Sequence, residues 1–173
     1  MSHIITQIEN KPAIVPVTLW PGETVYCPAD DADDAAALIK GERGYEPGPN
    51  EPEVKRILDL GANVGEFAVW ARLRWPYAWV TCYEPDDAKR AICQLNVPPG
   101  TRVIDSLGLA AEHYDLVRIS GDQHDQHQVL SLLGPHLKLL FLDGQTGIVH
   151  PAFRMLACGM RAKHLPFQWW ART

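Results

Sequence analysis

The stretch ILDLGANVGEFAVWARLRWPYAWVTCYEP, residues 57–85, limits the folds open to this chain more than any other part of it. "RILDL" is a short apolar run that reads as a buried strand. It runs into a glycine turn, Gly61-Ala62-Asn63-Val64-Gly65. "GEFAVWARLRW" follows, with Phe67, Val69, Trp70 and Leu73 close to helical spacing. "AWVTCYE" is a second apolar run that closes on Glu84. Strand, turn, helix and strand in this order make a βαβ unit.

The alternation continues downstream. "DDAKRAICQLN" reads as a helix with acids in its first turn and Ala88, Ala91, Ile92 and Leu95 on one face. "TRVID" is a candidate third strand, "DLVRIS" a strand, "QHQVLSLLG" a helix ending at Gly134, and "LKLLFLDG" a strand. "PAFRMLACG" reads as a helix with proline at its start and glycine at its end. The pattern predicts an α/β fold, a Rossmann-like, doubly wound, mostly parallel sheet. Upstream, "AIVPVTLW" and "GETVYC" read as short strands and "DADDAAALIKG" as a helix. "GYEPGPNEPE" is a proline- and glycine-rich linker. Residues 1–50 are thus expected to be an extension and 51–173 the main domain, together one compact unit.

The chain is 46% hydrophobic and 21% charged, which suits an ordinary globular core. Its net charge of -5 argues against nucleic acid as a partner, since that requires a basic face. Cys27, Cys82, Cys93 and Cys158 form no C-x-x-C pair and read as reduced, mostly buried thiols. The first residues do not resemble a signal peptide, and no window is apolar enough to span a membrane. A cytoplasmic protein without a membrane partner is expected.

What the turn binds follows from its residues. A dinucleotide fingerprint reads G-x-G-x-x-G. Here Asn63 stands where the middle glycine would admit a pyrophosphate, and Asp59 precedes the turn. An acid there would repel a diphosphate and attract an ammonium group. Glu84 lies 84 − 65 = 19 residues beyond Gly65, where an acid can accept both ribose hydroxyls. A ligand with a ribose, a cationic amino-acid tail and no phosphate is S-adenosylmethionine. The glycine spacing disfavours a nicotinamide-dependent reductase.

The motifs "DLGANVGEFA" and "CYEPDDA" followed by "LN" resemble the S-adenosylmethionine-dependent methyltransferases, in particular the FkbM family. "YDLVRISGDQHDQHQVL" is similar to that family's third segment, and the likeness extends over roughly residues 40–166. The resemblance implies S-adenosylmethionine as cofactor and O-methylation of a small hydroxylated or sugar-like substrate. Proximity and orientation would carry most of the catalysis. It implies Asp59, Gly61, Asn63 and Gly65 at the methionine end of the cofactor and Glu84 at the ribose.

The third segment departs from the family. Ser120 replaces its leading acid, while Asp122 and Asp125 keep two acids in shortened form. These two are the catalytic candidates for deprotonating the acceptor. A metal site can be imagined from Asp122, His124 and His127, but capping acids at a helix start are the plainer reading, and no metal is expected.

The crossover departs as well. If "TRVID" is the third strand, only residues 107–113 separate Ser106 from Tyr114. The chain must cross roughly 14 Å of strand spacings and return along about 17–20 Å of strand. Seven extended residues reach about 23–25 Å. Either a taut, helix-free link serves a third strand, or that strand is absent or distorted, and the spacing favours the latter. Asp105 is then a conditional adenine contact. One side of the sheet would lack its covering helix, which points to a homodimer. Trp169 and Trp170 are available to such an interface, or else belong to a core strand. The alternative function is a trimmed, non-catalytic cofactor-binding or assembly module of the same fold.

Overall fold

The computed structural model describes residues 13–18, 24–32, 52–106, 113–120, 137–143, 153–160 and 166–172. Strands β1 (Ile14–Thr18) and β2 (Thr24–Pro28) pair antiparallel as a separate hairpin. The main sheet is built from β3 (Arg56–Leu60), β4 (Trp79–Tyr83), β5 (Arg102–Ile104), β6 (Leu116–Ser120), β7 (Leu139–Asp143), β8 (Phe153–Met160) and β9 (Pro166–Arg172). Its order is β5-β4-β3-β6-β7-β9-β8. Only β9 runs antiparallel to its neighbours; β3 to β7 are mutually parallel. Helix α1 (Glu66–Arg74) joins β3 to β4, and α2 (Asp87–Asn96) joins β4 to β5. The chain therefore runs outward from β3 to the β5 edge, then returns to place β6 on the other side of β3. That reversal creates a switch point between β3 and β6, where the carboxyl ends of strands open a crevice.

Alternation along the central strands sorts the core into two faces. Ile57, Leu116, Val80, Leu139 and Phe141 pack with Phe67, Ala68 and Ala71 of α1 and Cys93 of α2. Leu58, Leu60, Val117, Ile119, Leu140 and Leu142 form the core of the other face. The hairpin packs Val17, Val25 and Cys27 against Val64 and Val69, so it covers the outside of the turn and α1.

Four expectations are corrected. "PAFRMLACG" is strand, not helix: residues Phe153–Met160 pair with β9 in an antiparallel ladder with an irregularity between Met155 and Ala157. A run this short does not separate helix from strand by period, and pairing with β9 decided it. The third strand is not absent, since β5 pairs parallel with β4 over Arg102–Ile104. It is only three residues long. Residues 107–112, on which the expected helix-free link falls, lie outside the described residues. The buried side of α2 is not the alanine face: Leu95 is 76% exposed, and Cys93 turns inward beneath the turn. Of the two places open to Trp170 the core strand is the one it takes, at 8% exposure. Likewise Leu73 of α1 points outward at 50% exposure, and Phe67, Ala68, Val69 and Ala71 form the buried side.

Apart from the first two residues of "DADDAAALIKG" and the last two of the proline-rich linker, that helix, the linker and the "QHQVLSLLG" helix fall outside the described residues. Cys27, Cys82 and Cys93 are buried thiols that take part in no disulfide among the described residues. No helix among the described residues is long and apolar enough to cross a membrane.

Asp115 fastens the amino ends of three strands. Its carboxylate accepts the Lys55 and Arg56 amides at 2.7 and 3.0 Å and the Lys138 Nζ at 2.8 Å. Burial alone would raise its pKa, but the hydrogen bonds from Lys138, Lys55 and Arg56 outweigh it and hold the carboxyl below its usual range. A depressed folded-state pKa adds stability that is complete above the unfolded value of about 3.9 and is lost as pH falls through the lower folded value. Asp115→Ala is expected to cost about 1–3 kcal/mol at pH 7. In denaturant titrations the difference from wild type should shrink below about pH 4; a difference independent of pH would exclude the ionised carboxylate as its source.

Candidate functional site

The turn after β3 lies at the switch point. Three of its residues are left-handed: Gly61 at φ 75°, Asn63 at 53° and Gly65 at 88°. Gly65 has no room for a side chain, because a Cβ there would stand 2.8 Å from Val97 Cγ1 and 3.0 Å from Cys93 Sγ. At Gly61 a Cβ would meet the backbone oxygen of Ser120 at 2.8 Å. Gly61 is thus required by the close approach of β6, which is a packing constraint before it is a ligand constraint.

The hydrogen bonds of the turn decide what it can receive. The Gly61 and Ala62 amides both donate to the Tyr83 carbonyl at 3.0 Å, and the Gly65 amide donates to the Ala62 carbonyl at 2.8 Å. The Asn63 amide donates to Glu84 Oε2 at 2.8 Å. Four of the five turn N–H groups are therefore committed within the chain. A diphosphate, which needs such donors, finds few here. Acceptors remain instead. Glu84 is 6% exposed, and its other oxygen accepts the Asp86 amide at 3.0 Å. Each carboxylate oxygen has a second lone pair. The Asn63 amide oxygen is buried and accepts no hydrogen bond from the described residues. An acceptor left so costs about 1–3 kcal/mol, which a donor-bearing ligand would offset.

Asp59 is paired with a cation of the chain itself. It is fully buried at 0% exposure, and its Oδ1 binds Arg118 Nη1 at 2.8 Å. The cation drawn to this acid is a guanidinium from β6, where register puts Arg118 directly beside Asp59. Arg118 Nη1 also lies 3.4 Å from the Gly61 carbonyl, and Nη2 lies 3.6 Å from Glu66 Oε1. Its guanidinium carbon sits 5.3 Å from the Phe67 ring centre, a cation–π contact. Asp59 thus acts beneath the turn, through Arg118. Sequence reading missed Arg118 and Glu66. The available signal was a cationic residue in the middle of an otherwise apolar strand, which calls for a buried acid.

The structure brings Gly61, Asn63, Gly65 and Glu84 to one rim. Asp105 follows β5 and is exposed, one residue from Ile104, whose carbonyl accepts the Glu84 amide at 3.1 Å. Asp122, Asp125, His124 and His127 lie outside the described residues. Among the described residues no group of three or more His, Cys, Asp or Glu could hold a metal ion. Below the rim, the Cys93 hydrogen bond and burial push the Cys82 thiol well above its ordinary pKa.

Solved structures share this architecture. A candidate methyltransferase of Escherichia coli, yhhF, matches over 91% of this chain and 98% of its own, with TM-score 0.64 and 15% identity. A candidate caffeoyl-CoA O-methyltransferase of Staphylococcus aureus matches over 69% of this chain and 77% of its own, with TM-score 0.55 and 15% identity. The plantazolicin methyltransferase BpumL, solved with S-adenosylhomocysteine, matches over 52% of this chain at TM-score 0.46 and 18% identity. The chain spans 38% of that protein's length. No protein-family model matches the chain, and neither does any curated protein sequence. The fold is the Rossmann-like α/β fold found in methyltransferases.

Two outcomes are expected from substitution. Arg118→Met strands buried carboxylates and should cost about 3–5 kcal/mol, whereas Asp59→Asn combined with Arg118→Met should cost less than the sum of the two. Strict additivity in a denaturant cycle would dissolve the pair. Gly61→Val should lower the unfolding midpoint, because a left-handed β-branched residue costs about 1–3 kcal/mol before its contact with Ser120 is counted. An unchanged thermal melt would remove that constraint.

Proposed function

We propose that the chain is a small S-adenosylmethionine-dependent methyltransferase of FkbM type, acting in the cytoplasm on a hydroxyl of a small or sugar-like molecule. The observation that carries this reading is the acceptor-rich rim: turn amides spent internally, with Glu84 and the Asn63 amide oxygen left to receive donors. A ribose and an ammonium group supply donors; a diphosphate does not. When bound, the cofactor supplies an electrophilic methyl group. Glu84 accepts the ribose hydroxyls, Asn63 and the turn backbone hold the amino-acid end, and Asp105 stands beside Glu84 toward the base. Arg118 and Asp59 keep the turn in place from below. Asp122 or Asp125 takes the acceptor's proton.

A second reading, a non-catalytic cofactor-binding module, is favoured by two specific features: β5 is only three residues long, and Ser120 occupies the position of the family's acid.

Calorimetric titration of the full chain with S-adenosylhomocysteine and, separately, NAD tests the cofactor class. Saturable binding of the first alone is expected. Glu84→Ala should weaken it by about 1–3 kcal/mol, the size of lost hydrogen bonds to a charged acceptor. Equal affinity in wild type and Glu84→Ala, or tighter binding of NAD, would overturn the assignment.

A further inference from the structure

The N-terminal hairpin meets the ligand turn through one side chain. Asn96, the last residue of α2, makes three hydrogen bonds. Its Oδ1 accepts the Tyr26 amide at 2.7 Å, and its Nδ2 donates to the Tyr26 carbonyl at 2.7 Å. The same Nδ2 donates to the Val64 carbonyl at 2.7 Å. Toward β2 the side chain imitates a strand residue, matching both backbone groups of Tyr26. Toward the turn it holds one carbonyl. A primary amide offers an acceptor and two N–H donors, and all three are used here.

The held carbonyl is a consequential one. Val64 C=O and Gly65 N–H belong to the same peptide unit. Asn96 fixes the carbonyl, and the Ala62 carbonyl fixes the N–H at 2.8 Å. This unit sets the left-handed Gly65, whose backbone would otherwise be the freest in the turn. It also adjoins Asn63, whose amide is tied to Glu84. The hairpin adds an apolar dock, with Val17, Val25 and Cys27 against Val64 itself. Two independent contacts of the hairpin, one polar and one apolar, thus converge on the residue between Asn63 and Gly65.

We propose that Asn96 is a positioning residue through which the hairpin presets the ligand turn. The hairpin is then part of the binding unit, and releasing it loosens the ligand. This inference rests on the cofactor reading for its effect on affinity, but its effect on the turn stands without a ligand. Asn96→Asp keeps the acceptor for Tyr26 and turns an oxygen toward two carbonyls. Asn96→Ala removes the bonds without that repulsion. Val25→Asp places an unpaired charge in the dock and releases the hairpin while leaving Asn96 in place.

The test uses the full chain with two readouts, at a temperature where circular dichroism shows each variant folded. The first is hydrogen exchange at the Tyr26, Asn63 and Gly65 amides without ligand. The second is the dissociation constant for S-adenosylhomocysteine. Asn96→Asp is expected to speed exchange at all three amides and to weaken binding about tenfold or more, with Asn96→Ala milder. Val25→Asp is expected to do the same at Asn63 and Gly65, and it decides the matter if Asn96→Asp does not fold. Faster exchange at Tyr26 with no change at Asn63 and Gly65 would make the hairpin a mere cover and overturn the proposal. So would wild-type affinity in folded Asn96 variants. If wild type does not bind S-adenosylhomocysteine while the turn amides still respond, the cofactor reading falls and the positioning role stands.

Discussion

The Asp59–Arg118 pair is the interaction on which the site depends. Taking either charge out of water costs several kcal/mol, and only good geometry with further hydrogen bonds offsets it. The chain provides that geometry through topology. β6 returns beside β3, and register sets Arg118 against Asp59 across the ladder. From there the guanidinium reaches the Gly61 carbonyl, Glu66 at the head of α1 and the face of Phe67. One cation therefore links two strands, the turn and the following helix. Ser120 closes on Gly61 from the same strand. A shift of β6 by one residue would exchange Arg118 for an apolar neighbour and leave a carboxylate alone in the core.

A turn built over this pair is unusual in how it uses its donors. Glycine-rich turns after a strand commonly present N–H groups to phosphate. Here the Tyr83 carbonyl, the Ala62 carbonyl and Glu84 take them. Glu66 at the start of α1 adds a buried acid where an anion would otherwise sit. The turn is therefore bordered by acceptors, Glu84 and the Asn63 amide oxygen, rather than by open N–H groups. Glu84 has two roles in this scheme. It braces the turn by accepting the Asn63 and Asp86 amides, and each oxygen keeps a second lone pair. Asp86 continues the order outward by capping α2 through the Ala88 and Lys89 amides.

Much of the frame was legible in order of residues alone. Apolar runs marked β3, β4, β6 and β7, because a strand buried on both faces needs an uninterrupted apolar run. Gly61 and Gly65 marked a turn, and the structure makes them and Asn63 left-handed, which those residue types tolerate. The distance from Gly65 to Glu84 marked the acid at the end of β4. Other features carried no such mark. "PAFRMLACG" has the punctuation of a helix, yet it completes the sheet beside β9, whose partner-seeking edge outweighed local preference. In α2, alanines and Leu95 suggested one face, but the helix was rotated by the need to seat Cys93 under Gly65 and to aim Asn96 at Val64.

By itself, then, the sequence determined the α/β alternation, the position of the turn and the acid that follows β4. These depend on local periodicity, on backbone freedom at single residues and on short spacings along the chain. Tertiary structure alone decided that Asp59 faces Arg118, that Gly61 yields to Ser120, and that Asn96 joins the hairpin to the turn. Each of those pairs is separated by dozens of residues. Only sheet order and register bring them within hydrogen-bonding distance, and no local pattern encodes which residue will arrive opposite another.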